Sequence, residues 1–370
     1  MTIQDALKGR DNNFNLIRFL AAFAVLFDHV SLASLGYGVH KPGFEQVFGM
    51  SLSELAVNMF FVLSGFLVTK SLVMRNDVVS YIVARFLRLV PAFAIMVLMT
   101  TFGIGLYFTS NDPFTYLANV DTHRYWIGTL ASFNEVGSLP GVFGANPQPH
   151  LMNVAIWTLK YEVIAYIALL GLWSLSVLHN RTLFASVAAI FIVMALILVQ
   201  IPGIHLSPHS VDGAAWVSLI RFGLCFLVGS LFYCYRDRIP LSGPLAIIGL
   251  AASYLAIDQH AYEVLTVLSA GYALIWVSLV PTGKVRLFNR FGDYSYGVYI
   301  WHWPVLQALI ASSFGLSFGW LLATTSAIAI ALAICSWHLV EKPALGKHLV
   351  IIQWVGRSWA LIRWPALRIR

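Results

Sequence analysis

Charge is what this sequence has least of. Asp, Glu, Lys and Arg supply 11% of its 370 residues, whereas 59% are hydrophobic and the mean hydropathy is +0.78. A soluble domain carries about 25% charged residues, so less than half the charge needed to coat a water-facing surface is present. That excludes an ordinary soluble fold and makes lipid the main solvent. Cysteine is also scarce. Cys225, Cys234 and Cys335 lie in or beside apolar segments, with no CxxC pair and no ligand-like spacing to histidine. This predicts buried, inert thiols and gives no support to a metal site or a disulfide framework. No cleavable leader is expected, because Met1–Arg10 is polar and the first apolar run leads straight into a full span. No internal repeat stands out, so the pseudo-symmetric halves common in secondary transporters are not evident. The net charge of +7 invites a nucleic-acid reading. Basic residues also accumulate in cytoplasmic loops of membrane proteins, so membrane lipid is the expected partner and nucleic acid is not.

Apolar runs of about 18–23 residues are long enough to cross the ~30 Å hydrocarbon core as helices. They fall near 14–35, 52–69, 89–108, 154–176, 183–201, 214–235, 241–257, 262–280, 292–313 and 317–340. The fold predicted is an all-α integral membrane protein, a single bundle of about ten transmembrane helices over residues 1–343. With the N-terminus inside, only Lys41 and Arg124 of the 23 basic residues fall in outer loops. Arg18, Lys160 and Arg221 fall within spans, and the others lie on the inner side. That asymmetry predicts both termini in the cytoplasm. The longest polar stretch, 109–152, then forms an extracytoplasmic loop with an amphipathic piece around 114–133, and connections this long tend to be functional. The tail 344–370 mixes Trp354, Trp359 and Trp364 with arginines, and reads as a basic, amphipathic cytoplasmic helix that anchors at the interface.

Ionisable side chains within a span are costly, so each is a candidate for function. The first span holds Arg18, Asp28 and His29. Arg18 and His29 lie eleven residues apart, about three turns, and share a face ~16 Å apart along the axis. Asp28 points ~100° away from His29 and is not its partner. His29 reads as a functional residue, with a hydrogen-bonded interior histidine as the bland alternative. In the second span, Ser64-Gly65 offers a hydroxyl near mid-membrane and a point of close approach, although Ser-Gly in an apolar helix is more often packing. Arg85 and Arg88, three apart at the inner entrance of the third span, present one guanidinium face suited to phosphate. Topology alone also demands basic residues there. Glu162, opening the fourth span after Trp157, lies at a depth comparable to His29, so the two form an acid/base pair if their helices are neighbours. Arg221 lies inside the sixth span. Tyr299 and His302 share a face of the ninth, which Pro304 should kink.

In order along the chain, Arg18-x10-His29, Phe60-Phe61-x-x-Ser64-Gly65, Arg85-x-x-Arg88, Leu139-Pro140-Gly141-Val142-Phe143 with Asn146-Pro147, Trp157-Thr158-Leu159-x-x-Glu162, Ser295-Tyr296-x-x-Tyr299-x-x-His302-x-Pro304 and Glu341-x-Pro343 resemble the acyltransferase-3 family. These are multi-span enzymes that O-acylate bacterial envelope and exported saccharides. The resemblance implies an acyl-CoA donor, usually acetyl-CoA, used from the cytoplasmic side of the bacterial inner membrane, and saccharide or lipid-linked saccharide acceptors. It implies His29 as the central catalytic residue with Arg18 on the donor path, and Arg85 and Arg88 on the CoA phosphates. Val154-Ala155-Ile156 replaces a small polar run often seen before the tryptophan, and Lys160 stands where proline is common; both bear on the acceptor more than on the reaction.

Together these readings give an acyl-CoA-dependent O-acyltransferase with His29, Arg18 and Glu162 as catalytic residues. Arg85, Arg88, Ser64 and Gly65 are expected around the donor, and Trp157, Arg221, Tyr299 and His302 around the acceptor. No metal is expected. The alternative from a different class is a transporter or flippase for a saccharide or lipid-linked intermediate, because Arg18, Arg221 and Glu162 would equally line a substrate pathway.

Overall fold

The computed structural model describes residues 1–7, 11–35, 44, 49–201, 206, 215–257, 261–312 and 315–362. Its described residues are mostly helical and include no strand. Ten helices make the bundle: α1 (Phe14–Leu35), α2 (Leu52–Arg75), α3 (Val78–Leu98), α4 (Leu159–Ser174), α5 (Arg181–Leu198), α6 (Ala215–Cys234), α7 (Gly243–Leu255), α8 (Tyr262–Leu279), α9 (Ser295–Ala311) and α10 (Phe318–Ser336). Among the described residues, eight are long and apolar enough to cross a membrane, counting the continuations of α3, α4 and α10. The other two expected spans are shorter than their apolar runs. α7 has 13 residues and α9 has 17, which at ~1.5 Å per residue gives about 20 and 25 Å. Multiple apolar helices make this a multi-pass membrane protein.

Two junctions carry π-helical turns that sequence periodicity does not announce. α3 runs on through Met99–Gly105 to Phe108, and α10 continues through Trp337–Glu341. Such bulges gather at functional sites, and the second one ends on Glu341, which is buried.

The core is built on α2 and α9. Every residue of α9 from Ser295 to Gln307 is buried, as befits a helix apolar on all sides. α2 crosses α6 at backbone contact. A Cβ at Gly65 would sit 2.0 Å from the Phe226 carbonyl oxygen, and one at Gly229 1.9 Å from that of Val62. The aromatic rings of Phe61 and Phe222 stack beside the crossing at 4.3 Å. At its start α2 has a capping box: Ser51 N donates to Glu54 Oε2 (2.8 Å), and Glu54 N donates to Ser51 Oγ (3.1 Å).

The stretch 109–152 is largely ordered by α9. Asn146 Nδ2 donates to the Gln307 backbone and side chain at 3.0 and 2.9 Å, and Gln307 Nε2 donates to the Gln148 carbonyl at 2.7 Å. Glu135 accepts from the backbone N–H groups of Met152 (2.5 Å) and Asn153 (3.1 Å), and Asn153 Nδ2 donates to the Ile300 carbonyl at 2.8 Å. The expected amphipathic piece is two helices, Pro113–Ala118 and Val120–Ser132. A tail helix, α11 (His348–Ile362), docks beside α3, with His348 Nε2 3.0 Å from both Arg75 Nη1 and the Ser80 carbonyl. Trp354 is exposed on it. The side chain of Trp359, and all of Lys41 and Trp364, lie outside the described residues. Cys225 and Cys234 are buried free thiols as expected, whereas Cys335 is exposed, because it faces away from the bundle on α10.

Candidate active site

Three cavities follow one another through the bundle. A vestibule of about 800 Å³ opens at the end where α1, α3 and α9 begin, and Arg18, Lys70, Arg75, Arg85 and Arg88 line it. A narrower cavity of about 80 Å³ continues from it, and Arg18, Leu67, Arg85 and Arg88 belong to both walls. Beyond it lies a third, of about 60 Å³, lined by His29, Glu54, Trp157 and Arg221, with Val57 and Tyr299 shared between the last two. His29 therefore faces a cavity in series with the basic vestibule, and Tyr299 stands at the divide. The Tyr299 hydroxyl is fixed there, donating to the Ala155 carbonyl (2.8 Å) beside Thr158 Oγ1 (2.7 Å).

The partner of His29 is His302. His29 Nδ1 and His302 Nε2 are 2.8 Å apart, and His302 Nδ1 lies 3.1 Å from the Val298 carbonyl. A carbonyl only accepts, so Nδ1 of His302 carries the proton. A neutral His302 then presents a lone pair at Nε2 and accepts from His29 Nδ1–H. This chain of donors leaves His29 Nε2 with its lone pair, the form a general base requires. The Trp303 ring packs edge-on against His29 at 5.2 Å. His302 is fully buried and belongs to none of the three cavity walls, so the expectation that it touches the acceptor is corrected: it holds His29 from behind.

Glu162 makes no hydrogen bond to that pair. It lines the middle cavity, where Ser64 Oγ (3.4 Å) and the Tyr166 hydroxyl donate to it. Matched depth did not pair the two groups: Glu162 is bonded by Ser64 and Tyr166, and His29 by His302. The expected His29–Glu162 pair is therefore corrected to His29–His302. Ser64 does line the cavity, but Gly65 does not; the latter is the α2–α6 contact point.

The arginines divide. Arg88 is held by Asp293 (2.7 Å) and Glu341 (3.0 Å), and Arg18 also reaches Asp293 (2.9 Å). These four side chains tie α1, α3, α9 and the end of α10 together. Arg88, read from spacing as a free phosphate ligand, has both of its outer nitrogens committed to carboxylates. Arg85 has no carboxylate partner among the described residues: its Nε is buried without a hydrogen bond, and its guanidinium lies 5.6 Å from the Tyr166 ring centroid. In the outer cavity Arg221 donates to Asn58 Oδ1 (2.7 Å) and to the Glu54 carbonyl (3.1 Å). Asp28, as its azimuth predicted, turns from His29 and accepts from Ser53 N at 3.2 Å and Ser53 Oγ at 2.5 Å.

Sequence reasoning missed three participants. Asp293 was passed over at the start of the expected ninth span, and Glu341 entered only through the closing Glu341-x-Pro343 motif. The signal for Glu54 was the spacing Ser51-x-x-Glu54, a capping box, which says where a helix starts and not that its glutamate borders a cavity.

A family model described as "Acyltransferase domain" matches residues 11–340. The chain belongs to that acyltransferase-3 family. Among its relatives, "Nodulation protein 10" of Rhizobium leguminosarum bv. viciae is 27% identical over 91% of this chain and 94% of the relative. "O-acetyl transferase" of Shigella phage Sf6 is 26% identical over 91% and 97%. No solved structure matches the chain. The cavities just described are thus the interior of a membrane acyltransferase.

Proposed function

We propose that this acyltransferase takes an acyl group, acetyl in the simplest case, from acyl-CoA at the cytoplasmic side of the membrane. It delivers that group to a hydroxyl of an envelope or exported saccharide, free or lipid-linked. The observation that carries the reading is the series of cavities joining a basic vestibule to His29. The vestibule lies in the ~300–1,000 Å³ range of small-molecule sites, which suits a nucleotide-sized head. The cavity beyond, a tenth of that volume, suits a slender arm. Arg85, with donors to spare, is the group that holds phosphate. Both termini then lie in the cytoplasm, in accord with the distribution of Lys and Arg, and the relative from Shigella phage is named for O-acetyl transfer.

His29 acts as general base. Its Nε2 takes the acceptor's hydroxyl proton while the oxygen bonds to the thioester carbonyl carbon. The C–S bond then breaks, the thiolate leaves, and His29 returns the proton to it. Arg18, at the junction of vestibule and inner cavity, lies along the donor's path. Glu162, with Ser64 and Tyr166, offers polar groups to an arm threaded past them. The 1–343 unit is the catalytic domain and the helix after it is its membrane-surface tail.

The test uses purified protein in proteoliposomes, radiolabelled acetyl-CoA and a saccharide panel. Wild type yields acetylated saccharide, and His29→Ala yields none while inserting and accumulating normally. Normal acylation by that variant overturns the catalytic assignment. Movement of unmodified saccharide across the bilayer, with no acylated product, indicates a transporter instead.

A further inference from the structure

We infer that Glu54 selects the acceptor, taking a hydrogen bond from a hydroxyl that neighbours the one to be acylated, so that the acceptor is a neutral sugar presenting two adjacent free hydroxyls. This rests on the reading of His29 as the base for O-acylation. The observation is one carboxylate oxygen. Oε2 of Glu54 is used by the helix cap, accepting from Ser51 N at 2.8 Å. Oε1 is buried and accepts no hydrogen bond among the described residues. The cationic atom beside it, Arg221 Nη1, lies 3.8 Å away, beyond hydrogen-bond length. Arg221 is anchored by Asn58 and by the Glu54 carbonyl, at 2.7 and 3.1 Å, so it balances the carboxylate's charge without saturating it.

A buried acceptor left unmade is costly, and a cap needs only one oxygen. Oε1 therefore awaits a donor. An ionised carboxylate accepts only, so the missing group brings a hydrogen, as a hydroxyl does. Glu54 and His29 share the wall of the same cavity with Trp157. The cavity is small, about 60 Å³, so the sugar presents an edge to it, with the Trp157 indole as the apolar part of the wall. One hydroxyl of the edge meets His29 Nε2 and the next meets Glu54 Oε1.

Acetyl-CoA is supplied to wild type and to Glu54→Gln in proteoliposomes, with methyl gluco-, galacto- and rhamnopyranoside and the monodeoxy analogue set of each. The amide oxygen of the substituted side chain keeps the cap's acceptor, so the start of α2 is preserved. The quantity read is the ratio of rates on parent and analogue within one preparation, which does not depend on how much protein is folded. Wild type prefers a parent over the analogue lacking the neighbouring hydroxyl by roughly 10- to 100-fold, the range for a hydrogen bond to a charged group. In Glu54→Gln the ratio falls toward one. An unchanged ratio in the variant, or a wild type indifferent to the deoxy position, overturns the role of Glu54 and leaves saccharide O-acylation standing. Acetyl transfer to none of the glycosides overturns both readings.

Discussion

Replacing His302 by leucine isolates the group that orients the base. His302 is completely buried and lines none of the three cavities, so its loss removes no substrate contact. It removes the acceptor of the 2.8 Å bond from His29 Nδ1. A net hydrogen bond is worth about 1 kcal/mol, and stranding the buried N–H adds about 1–3 kcal/mol. The leucine also frees His29 to place its proton on Nε2, the atom that must receive one. Taking about 1.5–3 kcal/mol as the part felt in the transition state, at 1.36 kcal/mol per tenfold, kcat falls roughly 10- to 150-fold. Both KM values stay near wild type, the pattern of an interaction lost only in the transition state. His302→Gln retains an acceptor oxygen and recovers at least about tenfold over leucine, a rescue that mere packing would not give. Steady-state kinetics with acetyl-CoA and acceptor varied separately read all three quantities. A leucine variant with unaltered kcat, or with its whole defect in KM, refutes the argument.

The two inner arginines should part company: Arg85→Ala raises the KM for acyl-CoA about tenfold or more with protein yield unchanged, since the donors lost are those of a charge-assisted phosphate contact. Arg88→Ala leaves the buried Glu341 without its cation and Asp293 with Arg18 alone, which costs about 3–5 kcal/mol and shows as a lowered Tm in detergent. Gly65→Ala drives a methyl to 2.0 Å from the Phe226 carbonyl oxygen, and overpacking of about 1–3 kcal/mol or more appears as loss of monodisperse protein, whereas Gly171→Ala, with nothing within 4 Å of the added methyl, does not. Burial pushes the Glu135 carboxyl up to about 7, with the Met152 and Asn153 N–H groups pulling the other way. The docked loop thus favours the protonated acid, so protection of residues 137–152 from protease is greatest at low pH and declines as pH rises from about 4.5 to about 7. Glu135→Gln flattens that profile, and an unchanged slope in the variant removes Glu135 as its cause.

Hydropathy made the bundle legible because lipid punishes every unpaired backbone group, leaving long apolar helices as the signal. What it could not give was where a run stops being helix. Pro244 and Gly243 open α7 late, and Asp293 with Ser295 opens α9 only after the apolar run has begun. Intramembrane charges were equally plain in the sequence, since their cost marks them. Their partners were not. Helical depth is one coordinate and says nothing of azimuth, which is why Glu162 and His29 looked paired and are not. Same-helix geometry does survive: Glu162 and Tyr166 are four apart and bonded, and Tyr299 and His302, three apart, share a face with their rings 6.2 Å apart. The Arg88–Asp293–Glu341 contacts join residues more than 200 positions apart, beyond any local pattern.

The charges inside this bundle sort by whether they are satisfied. Arg18, Arg88, Asp293 and Glu341 neutralise one another, and their mutual bonds join four elements where the vestibule meets the inner cavity. Breaking one member costs far more than the set contributes net, so such a cluster fixes geometry more than it adds stability. Fixed walls are what a cavity between helices needs. The unsatisfied groups lie along the path those walls enclose: Arg85 at the wide end with an idle Nε, and Glu54 at the narrow end with an idle Oε1. One lacks an acceptor and the other a donor. A ligand that makes good both deficits carries negative charge at one extremity and a hydroxyl at the other. No single small molecule of that kind is required, since two substrates entering from opposite sides meet the same demand. That polarity of unmet bonds, donor toward the basic end and acceptor toward His29, gives the cavity series a direction.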